Sequence, residues 1–253
     1  IIFNKDIVYY EYKPVHMHFT AGRTASATPI LYTAYDLQKL EEGGRRMFDI
    51  LNLNIKDIVV NAFPYAPHLA FWQTFYAAKG ANVLSLHTGG GKILGTEKII
   101  RAIESMKATC LVGMPGYLYH LIRAAKDKKA DFSSLGSVIF GGERVPSGLR
   151  GKIKKDLASI GSKKPRILST YAFTEGKSAW VECKEESGYH LYPDLEFIEI
   201  VDKNGERVSE GEKGEIVYTS LDWRGSVFLR YKTGDISKLH YEKCSCGRTL
   251  PRI

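Results

Sequence analysis

The chain has 253 residues, with 36 Lys and Arg against 28 Asp and Glu, a formal net charge of +8, 44% hydrophobic and 25% charged residues, and four cysteines. That composition excludes disorder, a collagen-like repeat and a disulfide-dense secreted scaffold, and fits one large domain or two small ones able to bury a core without cross-links. No stretch approaches the ~18 consecutive apolar residues of a membrane span, and Ile1 to His18 carries no cleavable signal pattern, so a cytoplasmic protein with no membrane partner is expected.

Thr33-Ala34-Tyr35-Asp36 opens a helical run through Leu37, Leu40, Met47, Phe48 and Leu51 that closes before Asn52 and Asn54. Ile58 to Phe63 is a short β-branched run closed by Pro64, as in a buried strand, with a helix to follow from about His68 to Lys79. Val83 to Leu86 reads as a strand and Thr88-Gly89-Gly90-Gly91 as a mobile loop. Ile99, Ile100, Ile103 and Met106 share a helical face, Thr109 to Gly113 is strand-like, Gly116 to Ala125 helical, and Val138 to Phe140 a strand.

The densest positive charge follows, where Arg150, Lys152, Lys154, Lys155, Lys163, Lys164 and Arg166 surround Ile153, Leu157 and Ile160 at helical spacing. The stretch reads as an amphipathic helix with a solvated basic face, with a phosphate-bearing partner as the other reading. No nucleic-acid motif accompanies it, so no nucleic-acid partner is expected. Ile167 to Thr170 is again a strand.

Strands separated by helices imply parallel pairing with helices on both faces, which predicts an α/β region over 1–180. Beyond Trp180 the rhythm changes. Phe197 to Val201, an Asn204-Gly205 turn, Gly214 to Ser220 and Val227 to Tyr231 predict a smaller antiparallel β-rich subdomain over 181–253.

Four segments could carry chemistry. In Phe19 to Pro29, small and hydroxyl residues crowd around Gly22, so backbone N–H groups and hydroxyls could surround phosphate oxygens, although polar turns of this kind are common. Tyr171-Ala172-Phe173-Thr174-Glu175 follows a strand end, where ligands sit in open α/β sheets; a Thr hydroxyl there can bond a phosphate and the carboxylate can hold Mg²⁺. Gly141-Gly142-Glu143 follows another strand, and its glycines would let backbone approach a flat ring. In Arg230 to Asp235, the terminal Asp follows a β run and could accept two bonds from a ribose diol. Each, alone, also reads as an ordinary turn.

Taken in order, these segments resemble the adenylate-forming superfamily, and within it the phenylacetate–coenzyme A ligase branch, from about Phe19 to Ile253. The resemblance adds His190 and Asp194 before Phe197 to Ile200, Gly211 to Glu215, Tyr218 to Leu221, and Cys244 to Ile253. It implies attack of a carboxylic acid substrate on the α-phosphorus of ATP, giving an acyl-adenylate, then transfer of the acyl group to coenzyme A with release of AMP. Thr20, Gly22 and Thr24 would lie near the β- and γ-phosphates, and Gly142, Glu143 and Tyr171 around adenine. Thr174 would bond the α-phosphate, Glu175 would bind Mg²⁺, and Asp235 would hold the ribose. Phe63, Tyr65, His68 and Ala70 are candidates for the acyl wall, with plain packing as the alternative.

Where the family's phosphate loop carries a second glycine and then a lysine, this chain reads Ala25-Ser26-Ala27-Thr28. Arg23 is nearby, but a forked guanidinium does not replace an ammonium at another position. The resemblance also implies a small mobile C-terminal domain, absent from a chain that stops at Ile253. An adenylyltransferase acting on a cofactor hydroxyl and a non-catalytic nucleotide-binding homologue are the alternatives, and a homodimer is left open.

Cys183, His190, Cys244 and Cys246 provide three thiols and an imidazole, a set suited to structural Zn²⁺, and some members of the branch carry such a site. Cys-x-Cys is tighter than usual finger spacing, so free thiols, a disulfide, and a His190 turned toward substrate remain alternatives. Cys110, inside an apolar run, reads as core.

Overall fold

The computed structural model describes residues 10–20, 27–65 and 69–253. An antiparallel hairpin of β1 (Pro14–Phe19) and β2 (Pro29–Thr33) leads into α1 (Ala34–Ile50). Thr33 caps α1: its hydroxyl accepts the Asp36 N–H at 3.2 Å while the Asp36 carboxylate accepts the Thr33 N–H at 3.0 Å, a reciprocal box that satisfies two otherwise orphaned donors.

The alternation then runs β3 (Ile58–Asn61), α2 (Leu69–Gly80), β4 (Leu84–His87), α3 (Thr96–Met106), β5 (Cys110–Gly113), α4 (Pro115–Asp127), β6 (Ser137–Phe140), α5 (Ser147–Ser159) and β7 (Arg166–Ala172). β8 (Ala179–Glu182) and β9 (Tyr189–His190) complete a seven-stranded sheet of order β4-β3-β5-β6-β7-β8-β9. Its first five strands are parallel and its last two antiparallel. The residue 180 boundary expected from sequence therefore falls inside β8. A separate antiparallel sheet is formed by β10 (Glu196–Val201), β11 (Gly214–Ser220) and β12 (Tyr231–Ser237). This α/β architecture with an added antiparallel sheet is the expected one.

Strand side chains alternate between two cores, as the two-residue period of a pleated strand requires. Val59, Cys110, Val112, Ile139 and Leu168 face the core shared with α1, α2 and the β10–β12 sheet. Val60, Leu111, Val138, Phe140 and Ile167 face the core shared with α3, α4 and α5. No helix among the described residues is long and apolar enough to cross a membrane.

Four local expectations change. The basic helix ends at Ser159 rather than running on toward Arg166. Lys152, Lys154 and Lys155 are exposed on it, but Arg150 turns inward, donating to the Ile167 carbonyl and Ser169 Oγ at 2.7 Å and pairing with the buried Glu182 at 2.9 Å. Thr88 to Gly90 is a packed, buried turn, because the Thr88 hydroxyl and N–H both donate to the Asn61 carbonyl. The last strand begins at Tyr231, not Val227, because Gly225 N–H donates to Asp36 and Ser226 is bonded to Leu31, drawing the chain off the sheet.

Candidate active site

The strand order places a crossover between β3 and β5: the chain leaves β3 for β4 on one side and returns to β5 on the other. Such switch points open a crevice beyond the carboxyl ends of the strands. Here that crevice is a cavity of about 490 Å³, a size suited to a small molecule. Phe63, Val112, Met114, Gly141, Gly142 and Thr170 border it at the ends of β3, β5, β6 and β7. α1 contributes Met47 and Phe48, its C-cap Leu51 adds a third apolar side chain, and α2 contributes Leu69, Ala70, Gln73 and Thr74. Phe173, Thr174 and Ala179 close the far side.

The glycines after β6 have a steric reason. A Cβ at Gly141 would stand 2.7 Å from Thr170 Oγ1 and 3.0 Å from the Phe63 ring, and Gly142 has φ 84°, a conformation costly for a side chain. Backbone can therefore line the cavity where any larger residue would fill it.

Of the residues singled out from sequence, Phe63, Ala70, Gly142 and Thr174 meet in this one cavity. Glu143 is exposed beside it. Tyr65 does not line it: the side chain is half exposed and its ring packs edge-on against Phe71 at 5.2 Å. His68, Gly22 and Thr24 lie outside the described residues. Thr20 sits at the foot of the expected phosphate loop, where its N–H donates to the Thr28 carbonyl and its hydroxyl accepts the Thr28 N–H, both at 3.0 Å.

Two tyrosines tie the other expected residues together. The Tyr171 hydroxyl donates to Asp235 Oδ2 at 2.7 Å, and the Tyr231 hydroxyl donates to Glu175 Oε1 at 2.7 Å. Burial, reinforced by Asp235, pushes the Tyr171 hydroxyl well above the usual phenol range; burial and then Glu175 push Tyr231 up to about 12. Both phenols stay protonated and act as donors at neutral pH. The Tyr171 ring stacks on Trp180 at 5.3 Å and the Phe173 ring lies nearly parallel to Tyr231 at 6.3 Å, so β7, β8 and β12 are held together at this edge.

About the far edge of the sheet, Cys183, His190, Cys244 and Cys246 converge, with their ligand atoms all within 4.8 Å of one another. Cys183 Sγ is 3.7 Å from Cys244 Sγ, and Cys246 Sγ is 3.7 Å from His190 Nε2. Donors at tetrahedral angles around an ion bound at about 2.3 Å to sulfur and about 2.0–2.1 Å to nitrogen stand roughly 3.5–3.8 Å apart, so this donor set fits Zn²⁺. Burial, with the charges of Arg248 and Arg252, lowers His190 to about 4, which keeps the imidazole neutral. Burial raises the Cys183 thiol. Burial also opposes ionisation of Cys244, yet donors from Ser187 and the Cys246 backbone bring it down to about 7.

Residues 16–231 match the family of AMP-binding enzymes. The chain belongs to that family. Among curated members it is 28% identical over 243 residues to the phenylacetate-coenzyme A ligase of Thermus thermophilus, covering 94% of this chain and 53% of the relative. It is 25% identical to the enzyme of the same name from Escherichia coli, covering 94% and 54%. The chain thus spans about half the length of the curated relatives it matches. Among solved structures, an open conformation of 2-hydroxyisobutyryl-CoA ligase in complex with 2-HIB-AMP and CoA superposes with a TM-score of 0.84 at 21% identity, over 95% of this chain and 56% of that one. A long-chain-fatty-acid-CoA ligase from Archaeoglobus fulgidus gives 0.67 at 18% identity, over 84% and 43%. At these identities the structures establish the fold of this AMP-binding family member.

Sequence reasoning does not find Met47, Phe48, Leu51, Gln73, Thr74 and Met114 as cavity residues. The first three are visible only as the apolar stripe of a helix, and a core helix has the same stripe. Gln73 and Thr74 carry a weaker signal, two polar residues in the middle of a helix that is apolar up to Lys79 in its last turn.

Proposed function

We propose that this chain forms the nucleotide- and acyl-binding part of an ATP-dependent acid–coenzyme A ligase acting on an aryl or arylacetic acid. The observation that carries the reading is the single cavity shared by Phe63 and Ala70, expected around an acyl group, and Gly142 and Thr174, expected around a nucleotide. The names of the curated relatives support the same reaction class.

In the first step a carboxylate oxygen attacks the α-phosphorus of ATP, the bond to the bridging oxygen breaks, and pyrophosphate leaves with the electron pair. Two anions must meet in line, so the site has to orient both and offset their charge. Thr174 offers a hydroxyl to the α-phosphate from the turn after β7. Gly142, Glu143 and Tyr171 border the adenine, and Asp235 accepts from the ribose hydroxyls. Thr20, at the foot of the segment whose sequence carries Gly22 and Thr24, is the described residue that would lie near the β- and γ-phosphates. Glu175 keeps one carboxylate oxygen beyond its bond from Tyr231, and that oxygen would hold Mg²⁺, which supplies positive charge to the phosphates.

In the second step the coenzyme A thiolate attacks the acyl carbonyl and AMP departs with the bonding pair. Cys183, His190, Cys244 and Cys246 would hold structural Zn²⁺ in this reading, which would tie the loop after β8 and strand β9 to the segment after β12. The protein works in the cytoplasm, where ATP and coenzyme A are available.

The test is ATP–pyrophosphate exchange across a panel of aryl, arylacetic and aliphatic acids. Stimulation by arylacetic acids is expected. Exchange that no acid stimulates overturns the proposal.

A further inference from the structure

We infer that the cavity selects an acid whose acyl portion carries a hydroxyl group and no second charge, with Gln73 and Thr74 as the specificity-determining residues. This deepens, and rests on, the acid-activating reading above.

The cavity wall is almost wholly apolar where α1 and α2 face each other, built by Met47, Phe48, Leu51, Leu69 and Ala70. Two adjacent polar side chains interrupt it. Gln73 and Thr74 are 7% and 4% exposed, so neither is there to meet bulk solvent. Each already spends a donor on backbone. The Gln73 amide nitrogen donates to the Lys177 carbonyl at 3.2 Å, and the Thr74 hydroxyl donates to the Ala70 carbonyl at 3.0 Å, one helical turn back.

What remains to the two residues for a ligand is mostly acceptor, the Gln73 carbonyl oxygen and the lone pairs of the Thr74 hydroxyl, with the second N–H of the Gln73 amide as the one donor left. An amide or hydroxyl oxygen in an apolar wall is costly when no donor reaches it, and a site built to meet such a donor discriminates against the analogue that lacks it. The ligand should therefore bring a donor for these oxygens, and a group that can also accept the remaining Gln73 N–H matches the pair fully. Among the described residues that line the cavity, no side chain is charged. A substrate ammonium there would be buried without a counter-ion, and so would a second carboxylate. A hydroxyl, alcoholic or phenolic, is the donor that suits the wall without adding charge. The Lys177 carbonyl fixes the orientation of the Gln73 amide, so the acceptor is held in place before the acid arrives.

The test compares matched non-hydrolysable adenylates, the acyl-sulfamoyl adenosines of phenylacetate, mandelate and the 2-, 3- and 4-hydroxyphenylacetates, titrated calorimetrically into the full chain. At least one hydroxylated analogue is expected to bind about tenfold or more tightly than the phenylacetyl analogue. Gln73→Met and Thr74→Val, each confirmed as folded by its melting curve, are expected to shrink that ratio to about threefold or less. Phenylacetyl binding as tight as that of every hydroxylated analogue overturns this inference and leaves the acid-activating reading standing. A preference that survives both substitutions overturns the assignment to these residues. If no adenylate analogue binds, the acid-activating reading itself fails, and the inference with it.

Discussion

The ammonium of Lys177 lies 3.1 Å from Asp36 Oδ2, and both side chains are fully buried. The pair sits where the start of α1, the turn after β7 and the 222–226 loop meet. Asp36 also accepts the N–H groups of Thr33, Arg224 and Gly225, and the Lys177 ammonium faces the rings of Tyr32 at 4.7 Å and Trp223 at 5.2 Å. Burial lowers Lys177 to about 8 against the opposing pull of Asp36. Lys177 stands two residues past Glu175 with a left-handed φ of 61°, so the pair pins the turn that presents Thr174 and Glu175.

Lys177→Met leaves the Asp36 carboxylate buried without its counter-ion. Removing one partner of a buried pair typically costs about 3–5 kcal/mol, a fall in Tm on the order of 10 °C for a chain of this size. Asp36→Asn with Lys177→Met removes both charges and is expected to recover part of the loss. The check is thermal unfolding by circular dichroism, and a single Lys177→Met variant that melts with the wild type would show that the pair does not hold the turn.

How much of this was legible in sequence depends on whether the signal is local. The helix at 34–50 announces itself through its Thr33–Asp36 box and its apolar spacing, and the parallel strands through β-branched runs buried on both faces. The β1–β2 pair escapes, because its strands end at Phe19 and resume only at Pro29 and its inward positions include His18 and Tyr32 in place of a plain aliphatic alternation. Arg150 likewise belongs by spacing to a solvated face, and only the fold brings Glu182 to it across 32 residues. The cavity floor is invisible for the same reason: Met47 and Ile139 meet only after α1 packs on the sheet.

Gly141→Ala tests the steric account of the nucleotide side. The new methyl meets Thr170 Oγ1 and the Phe63 ring, so this stretch of the cavity wall must shift. Overpacking of this kind costs about 1–3 kcal/mol. AMP affinity, read by titration calorimetry, is expected to fall by about tenfold or more. Wild-type affinity in a folded variant would remove Gly141 from the nucleotide wall.

Glu196 should leave a pH signature. It is buried, accepts N–H donors from Trp180 and Tyr192 and the Ser178 hydroxyl at 2.8 Å, and burial still pushes it from the ordinary value near 4.5 up to about 7. The folded state thus holds a proton that the unfolded chain has lost between those values. Its stabilising contribution is complete below about pH 4.5 and is lost as the pH rises through about 7. Glu196→Gln cannot ionise and retains an oxygen for the same donors. In urea unfolding, the stability of the variant relative to wild type is expected to rise across that window and level off above it. A constant difference would mean that Glu196 titrates normally.

The thiol–imidazole cluster makes the last prediction. Tyr189 and Ile253 exchange backbone hydrogen bonds at 2.8 and 3.0 Å, and Leu191 N–H donates to the Pro251 carbonyl at 2.9 Å, so the segment carrying Cys244 and Cys246 is stitched to β9 beside His190. An ion bound there would clamp that junction, and a ligand set that binds only in the folded state adds its binding free energy to stability. Freshly purified protein is expected to carry about one equivalent of zinc by elemental analysis. Chelation should lower Tm, and Cys246→Ser should lower it comparably while making the variant insensitive to chelator. Metal content near zero, with identical melting curves with and without chelator, would instead identify the cluster as reduced thiols packed at 3.7 Å.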